Sequence, residues 1–223
     1  MKGVIIFLMK GCNGKSRLKI NEKLCQSLID ALALDLYNTI SEIKLDNNPW
    51  DCFIATPDKL FSKKCKKKNI PILLLKPGEL NSIFYQIQNW VVDKGYSSLI
   101  LCAGDIPLLN GVLIDKIKRK LDLGLKKKGK SMIVCPSKSN GVSIIAMSPP
   151  DLWMINTKKG VENLNVIKEL NHNIYPYQIL RDNRSYLDLD YQEDLQSAFN
   201  YMEKNSGYSN RMVKKILCGF FCN

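Results

Sequence analysis

Histidine is nearly absent from this chain: among its 223 residues only His172 is a histidine, and it lies in a polar stretch. Most triad hydrolases use a histidine as their base, and common zinc hydrolases hold their metal through histidines. A mechanism that needs a histidine base or a histidine metal cluster is therefore nearly excluded.

Long apolar runs are missing as well. No stretch is long enough to span a membrane. The N-terminal apolar run, residues 4–9, is short, and no small-residue cleavage site follows it before Lys10 and Lys15. We therefore expect a cytoplasmic protein with neither a membrane segment nor a secretion signal.

The 8 cysteines do not form paired CxxC motifs. Cys52, Cys102 and Cys135 lie in strand-like apolar runs, where a reduced thiol behaves as a small hydrophobic group. Cys218 and Cys222 have no histidine or second cysteine pair beside them, which argues against zinc. This usage predicts a reducing compartment.

Neither the GxxxxGK[ST] phosphate loop nor the dinucleotide pattern GxGxxG occurs. Instead, two glycines and three cations, Lys10, Lys15 and Arg17, lie between the first predicted strand and a helix with leucines on one stripe. Backbone amides and a helix N-terminus in this order can receive a phosphate group. The alternative is a basic loop without a ligand.

Lysine and arginine total 33 against 21 acidic residues, which gives a formal net charge of +12. This balance favours anionic partners such as nucleotides, phosphorylated small molecules, nucleic acid or a membrane surface. The lysine runs lie between predicted elements. This placement is more typical of solvated helix ends than of a nucleic-acid patch, so nucleic acid is not the expected partner.

Predicted strands alternate with predicted helices, which indicates an α/β fold with a mostly parallel sheet flanked by helices. The link 136–141 is too short for a helical crossover, so the strands 131–135 and 142–147 either pair antiparallel or one leaves the sheet. We predict one domain over 1–205, followed by a basic C-terminal tail over 206–223 whose structure the sequence leaves open.

Acidic side chains follow or interrupt short apolar runs at two places. Asp105 comes after the buried strand 99–103 and Gly104, and Asn110 can cap the following helix. Asp188 and Asp190 share one face of a short predicted strand, 187–190. Carboxylates at the carboxyl ends of strands can hold a divalent metal against phosphate oxygens. The alternative roles are a turn for Asp105 and helix capping at Gln192 for Asp190.

The loop cations and the strand-end carboxylates are together suited to nucleotidyl or phosphoryl transfer. This chemistry needs positioning and charge neutralisation but no histidine. An acceptor that is itself a phosphate needs no general base, because a phosphomonoester has a second pKa of about 6 and is largely dianionic at neutral pH.

Four sequence blocks, in order along the chain, resemble the 2-phospho-L-lactate guanylyltransferase family. This family serves biosynthesis of the deazaflavin coenzyme in methanogens and actinobacteria, and its larger class includes the molybdenum-cofactor guanylyltransferases. The blocks are Lys10 with Lys15-Ser16-Arg17-Leu18, Leu80-Asn81, Gly104-Asp105-Ile106-Pro107-Leu108-Leu109, and Leu187-Asp188-Leu189-Asp190 with Glu193-Asp194-Leu195.

The resemblance implies a Rossmann-like nucleotidyltransferase fold with a mixed sheet. It implies that GTP and a small phosphorylated acid react to a guanosine-diphosphate-linked acid and pyrophosphate. Lys10, Lys15 and Arg17, with Ser16 in the same block, would hold the GTP phosphates, and Asn81 would lie near the nucleotide. Mg²⁺ would be held by Asp105 and Asp190, with Asp188 as a helper. A homodimer is left open, since no hydrophobic stripe demonstrates one.

Glu79 is assigned from chemistry and not from the motif, because its carboxylate could accept from the donor edge of guanine. Two stretches that would face the acid depart from the family pattern. They read Gly141-Val142-Ser143-Ile144 and Gly160-Val161-Glu162-Asn163-Leu164. Phospholactate, phosphoenolpyruvate and 3-phosphoglycerate are therefore all open as acceptors.

Two other hypotheses for the function remain. One is another nucleotidyltransferase with a different base or acceptor, and the other is a non-catalytic nucleotide- or RNA-binding protein. The carboxylates of Asp105 and Asp190 argue against a protein that only binds polyanions, because such a protein would gain nothing from them. Nucleotide binding that depends on Mg²⁺ would distinguish an enzyme from an RNA binder, whose affinity should fall steeply with salt.

Overall fold

The computed structural model describes residues 2–12, 15–43, 50–138, 141–153, 166, 168, 170–171, 176–208 and 211–222. The strands are β1 (Gly3–Leu8), β2 (Trp50–Thr56), β3 (Ile72–Leu74), β4 (Ser98–Ala103), β5 (Ser131–Pro136), β6 (Val142–Ser148) and β7 (Tyr177–Ile179). The helices with described bounds are α1 (Glu22–Ile43), α2 (Lys59–Lys67), α3 (Leu80–Asp93), α4 (Gly111–Lys128), α5 (Asn183–Tyr186), α6 (Gln192–Lys204) and α7 (Met212–Phe221).

These strands form one sheet in the order β3-β2-β1-β4-β6-β5-β7. β1 pairs parallel with both β2 and β4, whereas β6 is antiparallel to its neighbours β4 and β5. Ser137 N donates to Gly141 O at 2.9 Å, which closes the turn between β5 and β6. The predicted mostly parallel α/β sheet is confirmed, and the antiparallel pairing of the two strands is the arrangement that occurs.

Helices cover both faces of the sheet. On one face, α1, α2, α4, α6 and α7 contribute to one core, in which Leu28, Leu32 and Leu36 of α1 are each 1% exposed. On the other face α3 buries a stripe of apolar residues at helical spacing, including Ile83, Ile87 and Val91. Among the described helices, none has the length and apolar character that crossing a membrane requires.

The last helix, α7, is anchored by a residue far away in sequence. The Asp35 carboxylate of α1 accepts from Met212 N and Val213 N, each at 2.9 Å. Arg211 donates to Asp35 O at 2.7 Å, and Val213 is fully buried. No structure was predicted for the tail 206–223, in which Met212–Phe221 form a helix packed on α1 and α6.

We expect Asp35→Ala to lower the free energy of unfolding by about 1–3 kcal/mol, because two amide donors, of which that of Val213 is buried, lose their acceptor. Asp58→Ala is the matched control, since Asp58 also accepts from two amides, Leu60 N and Phe61 N, but within its own helix N-terminus. Hydrogen exchange should show that only Asp35→Ala deprotects residues 212–221. Equal protection there in both variants would contradict the anchoring role.

Candidate nucleotide site

The candidate site lies at the carboxyl ends of β1 and β4, which are adjacent and parallel. From β1 the sheet continues to β2 and β3 on one side, and from β4 to β6, β5 and β7 on the other. Such a switch point leaves a crevice between the connecting loops, and open α/β sheets bind their ligands there.

A cavity of about 240 Å³ occupies this crevice. Its apolar walls include Leu8, Leu80, Phe84, Val142 and Ile145, and its polar lining consists of Lys10, Lys15, Asp105, Ser137, Ser143, Asp188 and Asp190. Residues that are more than a hundred positions apart therefore share one small space. The cations and carboxylates that the sequence indicated are largely found in it.

Lys15 lies at the centre of this polar group. Its ammonium donates to Asp105 Oδ2, to Leu189 O at 2.7 Å and to Asp190 Oδ1 at 3.1 Å. The Lys15 side chain is 8% exposed. Burial alone would lower the pKa of Lys15, but the carboxylates of Asp105 and Asp190 outweigh it and raise the pKa above its ordinary value. The ammonium is therefore charged at neutral pH.

The second carboxylate oxygen of Asp105 has a different environment. Within the described part of the chain, Asp105 Oδ1 is the buried side-chain polar atom that has no hydrogen-bond partner. A buried oxygen of a charged carboxylate without a partner is costly, which makes it a favourable ligand for a cation.

These side chains could bind a magnesium ion only together with phosphate or water ligands. Among the described residues, no cluster of three or more acidic, cysteine or histidine side chains could hold a metal alone. Mg²⁺ does not require such a cage, because it is commonly bound by one or two carboxylates together with substrate phosphates and water. Asp105 and Asp190 supply two carboxylates of this kind, and Asp188 lines the same cavity.

Gly104 sets the position of Asp105. Its amide donates to Leu8 O at 2.8 Å, so the turn after β4 lies directly against the end of β1. A Cβ atom at Gly104 would lie 2.7 Å from Leu8 O and 2.2 Å from Met9 Cγ. Only glycine allows this close approach without a shift of the backbone.

We expect Gly104→Ala to lower the free energy of unfolding by about 1–3 kcal/mol, as overpacking does elsewhere. The same shift would displace the Asp105 carboxylate, which directly follows this glycine. Gly219→Ala is the control: nothing lies within 4 Å of a Cβ at that helical glycine. Chemical denaturation compares the two variants, and equal stabilities would show that the contact with β1 is unimportant.

The segment 187–190 was predicted as a strand, and this is wrong: these residues lie outside the described strands. The alternation of side chains is nevertheless real, since Leu187 and Leu189 are buried while Asp188 and Asp190 line the cavity. Leu189 N donates to Asp105 O at 3.1 Å, which joins the two carboxylate segments.

The interpretation of Asp190 as a helix cap is also wrong, because Tyr191 is the N-cap residue of α6. Asp194 reaches back to accept from Asp190 N at 3.1 Å and from Tyr191 N at 2.9 Å. No role was predicted for Asp194. The sequence signal of a capping box is Ser or Thr followed three positions later by Glu or Gln, and Tyr191 with Asp194 does not match it.

The loop between β1 and α1 differs from the expected arrangement. A 3₁₀ turn, Ser16–Leu18, follows Lys15, and α1 begins only at Glu22 with Asn21 Oδ1 accepting from Leu24 N at 2.8 Å. Ser16 and Arg17 are exposed and are not among the described residues that line the cavity. Lys10 is exposed and does line it.

The remaining predicted residues divide into three groups. Gly141, Val142 and Ser143 line the cavity, although the Ser143 hydroxyl donates to Cys135 O at 3.1 Å and so faces a neighbouring strand. Glu79, the exposed N-cap of α3, and the half-buried Asn81 lie outside the described cavity lining. Gly160 and Asn163, with Glu162, lie outside the described residues.

Comparison with solved structures places this architecture among nucleotidyltransferases. A protein from Desulfovibrio desulfuricans G20, assigned as a nucleotide-diphospho-sugar transferase, is 17% identical with a TM-score of 0.78, covering 96% of this chain and 93% of that chain. A nucleotidyl transferase from Methanothermobacter is 11% identical with a TM-score of 0.60, covering 92% of this chain and 98% of that chain.

A third similar structure is a CMP:2-keto-3-deoxy-manno-octonic acid synthetase complexed with CTP. It is 12% identical with a TM-score of 0.59, covering 92% of this chain and 99% of that chain. No protein-family model and no curated protein sequence matches the chain. At these identities the comparisons establish the fold: this chain has the Rossmann-like, mixed-sheet fold of nucleotidyltransferases.

Proposed function

We propose that the protein is a Mg²⁺-dependent guanylyltransferase. It joins GMP from GTP to a small phosphorylated acid, releases pyrophosphate and serves deazaflavin coenzyme biosynthesis. One observation carries the proposal: in a chain with a nucleotidyltransferase fold, Lys15, Asp105 and Asp190 meet in the cavity at the carboxyl ends of β1 and β4.

In this proposal the cations receive the triphosphate. Lys10 and Lys15 line the cavity, and Arg17 is one turn away on the exposed loop. An acceptor phosphate oxygen attacks the α-phosphorus of GTP, the bond between the α-phosphorus and the bridging oxygen breaks, and pyrophosphate leaves. No proton has to be removed from the acceptor, because a phosphomonoester has a second pKa of about 6. The scarcity of histidine is consistent with this chemistry.

Asp105 and Asp190, with Asp188 nearby, would hold Mg²⁺, which neutralises charge on the transferring and leaving phosphates. Lys15 bridges the first two carboxylates in the structure. The three donors of its ammonium are taken by Asp105, Leu189 O and Asp190, so Lys15 can contact a phosphate only by giving up one of these partners. We infer that binding of the nucleotide with its metal exchanges the partners of Lys15.

The acceptor would lie against Gly141, Val142 and Ser143, with Gly160 and Asn163 as further candidates from the sequence. Val142 offers an apolar surface to the cavity. The Ser143 hydroxyl already donates its hydrogen bond to Cys135 O. A small acid whose phosphate does the chemistry needs few further polar contacts. The candidates are 2-phospho-L-lactate, phosphoenolpyruvate and 3-phosphoglycerate.

A different base is the second candidate function, and one observation favours it. One of the similar structures is a CMP-transferring synthetase that holds CTP, so this fold accepts a cytidine nucleotide there. Glu79, proposed as the guanine-selecting carboxylate, is exposed and lies outside the described cavity lining. A cytidylyltransferase with the same triphosphate and metal residues is therefore the alternative.

The test is pyrophosphate release from purified protein with Mg²⁺, each nucleoside triphosphate in turn, and a panel of the three phospho-acids. We expect release only with GTP and one acid. Release with CTP would move the assignment to the second candidate, and release with GTP and none of these acids would overturn the acceptor. A folded protein that releases no pyrophosphate under any combination would contradict both functions and favour a binding protein.

A further inference from the structure

An ion pair connects two walls of the cavity. Lys138 lies in the turn between β5 and β6, and its neighbour Ser137 lines the cavity. Lys138 N donates to Tyr186 O at 2.7 Å, and its ammonium donates to Asp194 Oδ1 at 2.7 Å. The turn on the acceptor side is thus tied, by backbone and side chain, to the segment that carries Asp190.

Asp194 is a buried carboxylate whose two oxygens accept hydrogen bonds from different partners. Oδ1 accepts from Lys138, and Oδ2 accepts from Asp190 N and Tyr191 N. Asp194 is 3% exposed. Burial alone would raise the pKa of Asp194, but the Lys138 ammonium and the two amides outweigh it and lower the pKa below its ordinary value. Asp194 is therefore a charged and fully partnered group.

The next contact leads into the site. Asp190, whose amide is held by Asp194, places its own carboxylate 3.1 Å from the Lys15 ammonium. Asp194 is not among the described residues that line the cavity. A continuous set of contacts therefore runs from Lys138 through Asp194 and Asp190 to Lys15, and Lys138 and Asp194 lie outside the described cavity lining.

We propose that Asp194 is a positioning residue that fixes the Asp190 carboxylate for the metal and nucleotide, and that the contact with Lys138 holds Asp194 in place. This inference rests on the proposed function and names the residues that position Asp190 in its site. Partners of metal-binding carboxylates commonly change metal affinity by about 10–100-fold when they are replaced. A residue that only caps α6 would change stability and leave that affinity unaltered.

The experiment measures binding of Mn²⁺ in the presence of GTP, by electron paramagnetic resonance of free Mn²⁺, together with kcat and KM for pyrophosphate release. We expect Asp194→Asn to raise the Mn²⁺ dissociation constant about 10-fold or more. It should lower kcat and leave KM for GTP nearly unchanged. Lys138→Met should act in the same direction but more weakly, because the Asp194 carboxylate still caps α6. This second variant tests the proposal if Asp194→Asn does not fold.

Lys116→Met is the matched control. Lys116 and Asp182 form a pair much like Lys138 and Asp194: the lysine side chains are 43% and 46% exposed, and the aspartate side chains are 9% and 4% exposed. Asp182 also caps a helix, by accepting from Arg184 N. We expect Lys116→Met to leave Mn²⁺ affinity and kcat unchanged, whatever its effect on stability.

The outcomes separate two failures. An active wild-type protein in which Asp194→Asn or Lys138→Met loses stability but keeps its Mn²⁺ affinity and kcat would overturn the positioning role alone. An equal loss in Lys116→Met would overturn it as well. A folded wild-type protein that neither binds Mn²⁺ with GTP nor releases pyrophosphate would overturn the proposed function, and this inference with it.

Discussion

Asp105→Asn is expected to abolish Mg²⁺-dependent pyrophosphate release while the protein remains folded. Asparagine has nearly the shape of aspartate, but it removes the negative charge next to Lys15 and the partnerless oxygen Oδ1. Loss of one preorganised electrostatic group at a reacting centre typically costs about 10²–10³-fold in kcat, and a metal ligand should cost at least as much.

The fold should tolerate this change because Lys15 keeps Asp190 and Leu189 O as partners. Circular dichroism and thermal unfolding would verify that. Asp115→Asn makes the same chemical change in an ordinary pair with Arg119 on α4, and it should keep full activity. Full activity in Asp105→Asn would remove Asp105 from the metal site.

Lys15→Met is the second replacement with a large expected effect, on stability as well as on activity. It leaves the carboxylates of Asp105 and Asp190 without the ammonium that bridges them. Breaking a buried ion pair by removing one partner costs about 3–5 kcal/mol, and the exposed fractions of the two aspartates place this case at the lower end. Turnover should be lost, because a phosphate-binding cation is missing.

The same variant tests whether Lys15 occupies the position of a metal ion. In Lys15→Met without nucleotide, millimolar Mg²⁺ should raise the unfolding temperature, because a divalent ion can replace the ammonium between the carboxylates. The wild-type protein should show a smaller shift until nucleotide is added. Lys23→Met, at an exposed position of α1, is the control. An equal Mg²⁺ effect in all three proteins would contradict the exchange.

The sequence predicted those parts of the fold that depend on local patterns. The apolar runs of β1 and β4 and the leucine stripe of α1 are buried as expected. The site followed from a general rule, because the carboxyl ends of parallel strands meet at one edge of a sheet. Lys15 and Asp105 are 90 positions apart and form an ion pair there. Their direct contact was not predicted, since the lysine was assigned to phosphates and the aspartate to metal.

What the sequence did not predict depends on long-range partners. Leu187 and Leu189 alternate with aspartates as in a strand, but an alternating pattern does not reveal whether a neighbouring strand exists. The anchoring of α7 rests on Asp35, 177 positions before Met212, and no local signal connects the two. The pairing of Lys138 with Asp194 likewise exists only because a turn and a helix N-terminus meet in the folded protein.

The cavity at the ends of β1 and β4 is proposed to be the place where a nucleotide is transferred to a phosphate. Phosphorus NMR of a mixture of protein, Mg²⁺, GTP and each phospho-acid tests it most directly, because the bonds formed and broken are observed. We expect equal growth of pyrophosphate and of a coupled pair of phosphoanhydride resonances, both absent with Asp105→Asn. Formation of inorganic phosphate and GDP, or unchanged spectra with every nucleoside triphosphate, would contradict it.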